Sequence, residues 1–194
     1  SEAFEWQPGA ARCTEGIWVW PEPLVVEAPE GRVALLLMDT QGAFDAHFSR
    51  RQGNLVLGLA SSLSSLLVYN VPGQLQRDSV DDLLAFLELT RAGLRRVAGG
   101  GGSRTLACDP FGALVFLVRD WPHLPPSGEE GERAAQRATV LEAFVEGTES
   151  GRRVREMFGS VDCFLLPRPG PIDRPEWGGD AAELDPDFVR LCEA

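Results

Sequence analysis

The chain has 194 residues, 44% of them hydrophobic and 24% charged, which is ordinary globular composition and leaves no room for wholesale disorder. Its formal net charge of −11 excludes a nucleic-acid groove and a basic membrane-surface helix. All 18 basic residues are arginine, so a phosphate-cradling G-x-x-x-x-G-K-[ST] loop, which needs its lysine, is absent from these residues.

Residues 1–16 are loop chemistry, running into Arg12-Cys13-Thr14-Glu15-Gly16. Ile17-Trp-Val-Trp20 has strand propensity, is broken by Pro21 and Pro23, and resumes at Leu24-Val-Val26, which predicts an edge strand or hairpin. Pro29-Glu-Gly31-Arg32 turns the chain into Val33-Ala-Leu-Leu-Leu-Met38. Six apolar residues in a row predict a strand buried on both faces of a parallel sheet, paired antiparallel with the stretch before it. That strand ends in Asp39-Thr-Gln-Gly42. An acidic residue closing a buried strand is where P-loop nucleotide hydrolases hold Mg²⁺, and a glycine three residues on lets a backbone N–H reach a terminal phosphate. Alone, D-x-x-G is a weak signal that also fits a plain strand-ending turn.

Residues 43–54 are polar and predict a loop; Leu55–Leu63 predicts a short buried helix and Ser64–Asn70 a strand, ended by Val71-Pro72-Gly73. Asp78 is the expected N-cap of the next helix, with Asp81 and Asp82 in its first turn and Arg95 and Arg96 in its last. Leu83, Leu84, Leu87 and Leu94 keep helical spacing, and the helix should end at Gly99. Gly99-Gly-Gly-Gly-Ser103 is a flexible loop by composition, either natural or inserted by design. Ala113–Val118 is a second fully apolar strand, ending in Arg119-Asp120-Trp121; residues 122–132 read as loop, and Ala134–Phe144 and Gly151–Phe158 as helices. Val161–Leu166 is the last strand, followed by Pro167-Arg168-Pro169-Gly170, and Asp185-Pro186 opens a short terminal helix.

The four cysteines (Cys13, Cys108, Cys163, Cys192) form no C-x-x-C pair, and with two histidines besides, they predict reduced, buried thiols rather than a zinc site. No apolar run reaches the ~20 residues of a membrane span. Alternating strands and helices, with polar groups at strand carboxyl ends, predict an open, mostly parallel α/β sheet with helices on both faces and its ligand at those ends.

Three phrases carry a resemblance that covers nearly the whole chain. Arg12-Cys-Thr14-Glu-Gly16-Ile-Trp-Val-Trp20, Leu37-Met-Asp39-Thr-Gln-Gly42 and Phe116-Leu-Val-Arg119-Asp120-Trp121 resemble, in order and spacing, the guanylate-binding-protein and atlastin family of dynamin-related large GTPases. Val68-Tyr-Asn70 and Cys163-Phe-Leu-Leu-Pro167-Arg-Pro169-Gly170 are similar to atlastin phrases, and the chain most resembles the branch that carries a RING finger. The Arg-Asp pair in place of the N-K-x-D of small GTPases is specific to that family.

The resemblance implies GTP as substrate, Mg²⁺ as cofactor, dimerisation through paired G domains, and a cytoplasmic-side protein held to membranes only by segments outside this chain. It implies that Thr14 completes the Mg²⁺ shell, that Asp39 holds Mg²⁺ through water, and that Gly42 senses the γ-phosphate. Asp120 would read guanine, Arg119 would pack on the base or position its loop, and Pro167, Arg168, Pro169 and Gly170 would begin the loop over the base. Arg12 stands where guanylate-binding proteins have a serine near the attacking water, so its role is open. Ala43 follows Gly42, so the water-orienting glutamine of small GTPases is absent. Against this family the chain, 1–194, reads as a partial G domain whose first central strand and phosphate loop are missing. Two sheet edges left unpaired by that absence predict an isolated chain that aggregates and binds no GTP at micromolar nucleotide. The alternative is an interaction module that kept the fold and lost nucleotide binding.

Overall fold

The computed structural model describes residues 14, 16–29, 31–41, 50–98, 111–123, 130–170 and 180–193. Arg12, Gly42, Cys13, Cys108 and the loop 99–103 lie outside the described residues. The chain divides into two compact units, 1–64 with 86–108 and 65–85 with 109–194.

The first unit holds an interrupted antiparallel ribbon. Strand β1 (Ile17–Val19) pairs with β4 (Met38–Thr40), and β2 (Leu24–Ala28) pairs with β3 (Gly31–Leu35). The antiparallel pairing follows the sequence expectation. The registers differ: Val19 faces Met38 in the outer ladder and Leu24 faces Leu35 in the inner one. One arm therefore spends residues 20–23 on the gap and the other only 36–37, so Pro21 and Pro23 sit in a two-residue excess that no ladder hydrogen bond has to cross. Trp20 N–H still donates to the Leu37 carbonyl at 2.8 Å, keeping the arms together across the break.

The expectation of one doubly buried strand over 33–38 does not hold. Every residue of β3 is exposed, as are Leu36 (63%) and Leu37, because a two-stranded ribbon offers no layer to cover either face. Helix α1 (Arg50–Leu63) is also longer than expected and begins inside the stretch read as loop. It is buried along one side only, through Leu57, Ala60 and Ser61, while Leu55, Leu59 and Leu63 are exposed.

The second unit is built on a parallel sheet in the order β5–β6–β7, from Leu66–Pro72, Phe111–Arg119 and Phe158–Leu165. Tyr69 lies opposite Phe116, and Phe116 opposite Cys163. The central strand β6 buries Phe111, Leu114, Phe116 and Val118. β5 alternates instead, with Leu67, Tyr69 and Val71 buried and Leu66 and Val68 half exposed. Gly112 lets β6 pass Ser65 closely, since a Cβ there would lie 2.2 Å from the Ser65 carbonyl oxygen.

Helix α2 (Arg77–Ala98) connects β5 to β6 and carries Val80, Leu83, Leu84 and Leu87 at i, i+3, i+4 and i+7, all buried. It starts at Arg77, which puts Asp78 inside the first turn, favourably placed for the helix dipole, rather than at the N-cap. Helix α3 (Glu130–Leu141) starts earlier than the sequence suggests, because Glu130 and Glu132 in its first turn suit the helix dipole better than a loop. It runs into one wide turn at Glu142–Glu146, closed by Gly147 N–H on the Glu142 carbonyl. Thr148 caps α4 (Glu149–Met157) by accepting from Gly151 N–H at 2.9 Å and donates to the Phe144 carbonyl at 2.8 Å. A Cβ at Gly151 would sit 2.3 Å from the Val145 carbonyl oxygen and 2.4 Å from that of Phe144, and backbone cannot step aside. Gly151→Ala is therefore expected to destabilise by ~1–3 kcal/mol. Thermal unfolding of the protein checks it, and an unchanged midpoint would mean the turn relaxes freely. Helix α5 (Pro186–Glu193) opens as expected, with Asp185 Oδ1 accepting from Asp187 and Phe188 N–H.

Candidate functional site

Two groups of polar side chains stand at strand ends, one in each unit. In the first, β1–β4 pairing sets Trp18 opposite Asp39 and brings the segment before β1 alongside the end of β4. Thr14 Oγ1 donates to Asp39 Oδ2 at 2.6 Å across a separation of 25 residues. Gly16, at φ +75°, adopts a left-handed turn that most side chains resist, and Gln41 grips it twice. Gln41 N–H donates to the Gly16 carbonyl at 2.9 Å, and Gln41 Oε1 accepts from Gly16 N–H at 3.1 Å. Gln41 is 5% exposed, and its Nε2 has no partner among the described residues. The D-x-x-G reading passed over this residue, although it lies inside the phrase.

The sequence placed Thr14 and Asp39 far apart, and the ribbon joins them. Both present hard oxygen atoms of the kind Mg²⁺ prefers, Thr14 as a hydroxyl that could meet the ion and Asp39 as a carboxylate that could hold it through water. The fit to Mg²⁺ is good in donor chemistry. Among the described residues no cluster of three or more His, Cys, Asp or Glu forms an all-protein metal cage.

In the second unit, the carboxyl ends of β5 and β6 and the segment after β7 line a cavity of about 660 Å³. Its lining is Pro72, Gly73, Arg119, Asp120, Trp121, Pro122 and Arg168. Asp120 stands immediately beyond β6 at φ +59°, the one described non-glycine residue with positive φ. Asp tolerates that region better than most side chains, yet holding it there still costs of order 1 kcal/mol, so its neighbours must fix it. They do so from both sides. Gly73 N–H donates to the Arg119 carbonyl at 2.7 Å, and Trp121 N–H donates to the Leu166 carbonyl at 2.9 Å. Arg119 Nε donates to Asn70 Oδ1 at 2.5 Å, while its Nη1 lies 4.0 Å from Asp120 Oδ2, a half-exposed pair of little energetic weight. Trp121 Nε1 donates to Gln136 Oε1 at 3.2 Å, and Gln136 Nε2 donates to the His123 carbonyl at 2.7 Å.

Residues 167–170, one residue beyond β7, divide. Arg168 faces the large cavity, and Pro167 lines a smaller one of about 190 Å³ with Trp121, Arg133, Asp185 and Arg190. The Pro169 carbonyl accepts from Asp185 N–H at 2.9 Å, and a Cβ at Gly170 would meet the Asp185 nitrogen at 3.2 Å. These two residues anchor the start of α5 and do not line the cavity.

Cysteine chemistry has no support at the sheet. The Cys163 thiol is pushed up to about 12 by burial, then by the charge of Asp162, with Arg137 pulling the other way. It stays protonated at neutral pH and is no nucleophile. Cys192 is exposed, contrary to the expectation that the cysteines are all buried. Burial, with Asp82 adding to it, pushes the Tyr69 phenol up to about 12. Tyr69 packs edge-on against Phe116 as a core residue.

Known proteins resemble nearly the whole chain. The family model described as guanylate-binding protein, N-terminal domain, matches residues 1–193. Atlastin-1 of Macaca fascicularis is 33% identical over 195 residues, covering 96% of this chain and 33% of that protein. Atlastin-2 of Homo sapiens is 35% identical over 195 residues, covering 96% of this chain and 32% of that protein. Atlastin-2 of Xenopus laevis is likewise 35% identical, with 96% and 33% covered. The chain spans about a third of the length of these relatives. Among the described residues no helix is long and apolar enough to cross a membrane.

Proposed function

Because the chain belongs to the guanylate-binding protein N-terminal domain family, we propose that it supplies the switch and guanine-reading parts of a Mg²⁺-dependent GTPase domain. The observation that carries this reading is Asp120, held in a left-handed conformation at the rim of a cavity at the strand ends. A carboxylate there accepts from both N1–H and the exocyclic amine of guanine. Adenine offers no such donor pair, so the wrong base leaves the carboxylate unpaired. Arg168 and Arg119 supply positive charge at the same cavity.

Thr14 would complete the shell of Mg²⁺ and Asp39 would hold the ion through water; when bound, the ion neutralises charge on the β- and γ-phosphates. Asp39 orients the Thr14 hydroxyl through the 2.6 Å bond while leaving its lone pairs available. Gly42 serves as the γ-phosphate sensor, and the role of Arg12, which stands where guanylate-binding proteins have a serine, is left open. With no lysine in the chain, the phosphate-anchoring lysine comes from the parent protein outside these residues. The parent dimerises through its G domains during turnover and associates with membranes on the cytoplasmic side through other segments. The sequence phrases resemble those of neurolastin, the RING-bearing member, which is the finer assignment within the family.

Titration of the full-length protein with a fluorescent GTP analogue tests the reading. Binding is expected to need Mg²⁺, to be competed by GTP and GDP, and to resist ATP. Absence of Mg²⁺-dependent binding would instead favour an interaction module whose net charge of −11 serves a protein partner.

A further inference from the structure

Asp120 is useful to base recognition only if its strained backbone returns to one position each time the cavity fills. Upstream, that position is fixed by β5, through Gly73 N–H on the Arg119 carbonyl and Asn70 on the Arg119 side chain. Downstream, one anchor is the β7 end, where the Leu166 carbonyl takes the Trp121 N–H. The second is Gln136, halfway along α3, which uses both ends of its carboxamide. Its oxygen accepts the indole N–H of Trp121, and its nitrogen donates to the carbonyl of His123. Trp121 itself lines the cavity beside Asp120 and makes an edge-on contact with the His123 ring at 5.8 Å between centroids. The indole N–H can only donate and the carbonyl can only accept, so a carboxamide in one orientation satisfies both. An apolar residue satisfies neither.

We propose that Gln136 is a positioning residue for base recognition: from α3 it grips Trp121 Nε1 and the His123 carbonyl, and so fixes the aim of the Asp120 carboxylate into the cavity. The proposal rests on Asp120 being the guanine reader. It adds a specificity determinant that lies outside every motif of the sequence and that acts through another residue.

The test uses the full-length protein, with fluorescent GDP binding, competition by GTP and ATP, and steady-state hydrolysis. Gln136→Ala is expected to weaken GDP binding about tenfold, to narrow the preference for GTP over ATP by a similar factor, and to raise KM while kcat changes less than twofold. Trp121→Phe keeps the ring and removes the N–H, so it should move affinity and preference the same way. The double variant should cost less than the sum of the two, because they break one shared bond. Gln136→Glu retains the acceptor for Trp121 and should recover part of the loss. Should Gln136→Ala fail to fold, Gln136→Glu and Trp121→Phe still decide the matter. Unchanged GDP affinity and base preference in Gln136→Glu and Trp121→Phe would overturn the proposal. An Asp120→Asn control separates the two levels. Loss of guanine preference there with no effect at Gln136 removes only the positioning role, whereas intact preference removes the guanine reading beneath it.

Discussion

Asp120→Ala in the full-length protein is expected to erase the preference for GTP over ATP, changing the ratio of their affinities by roughly 10²–10⁴. Two effects combine in that number. The carboxylate is lost, and with it the acceptors for two guanine donors. Alanine must also hold φ near +59°, a region where Asp and Asn are at home and Ala is not. Asp120→Asn separates them, because it keeps the backbone preference and changes only the chemistry. An amide offers one donor and one acceptor, so it should favour xanthine, which carries an oxygen where guanine has its amine. Competition titrations with GTP, ATP and XTP read all three. Unchanged preference for GTP in both variants would mean that the cavity binds something other than guanine.

Thr14→Ala is the second large effect, and it falls on turnover. The hydroxyl donates its single hydrogen to Asp39, so what it can offer an incoming ion is a lone pair. If that ion contact forms only with the triphosphate, its loss lowers kcat about 10–100-fold and changes GDP affinity less than twofold. Thr14→Ser should retain most of the activity, since it keeps the hydroxyl and the bond to Asp39. Equal losses in GDP binding and in hydrolysis would make Thr14 a structural tie between β4 and the segment before β1.

How much of this was legible in the sequence depended on how local each signal was. The three strands of the parallel sheet were readable because each is a short apolar run with its turn residues beside it, as at Val118-Arg119-Asp120 or Val71-Pro72-Gly73. The 33–38 run looked the same to that test and behaved differently. Burial is a property of what lies against a strand, and among the described residues β3 pairs with β2 alone. Thr14 and Asp39 could be named from the phrases that contain them. Their 2.6 Å contact could not, because it depends on the register of a ribbon interrupted at residues 20–23. Gln136 gave no signal at all. It sits mid-helix among alanines and arginines, 15 residues from the tryptophan it holds, and only the folded chain makes them neighbours.

The interrupted ribbon carries a consequence for how this segment tolerates insertion and deletion. Its two ladders are offset by two residues, an even number, so side chains keep the same alternation from the inner ladder through to the outer one. Removing two residues from 20–23 would merge the ladders into one continuous hairpin and leave Trp18 opposite Asp39. Removing one would turn the outer half of that arm over, carrying the Thr14 segment to the opposite face from the Asp39 carboxylate. Length changes at this break should therefore be accepted in pairs and rejected singly. A deletion series across Trp20–Pro23, scored by nucleotide hydrolysis, would show that parity as activity returning at every second step.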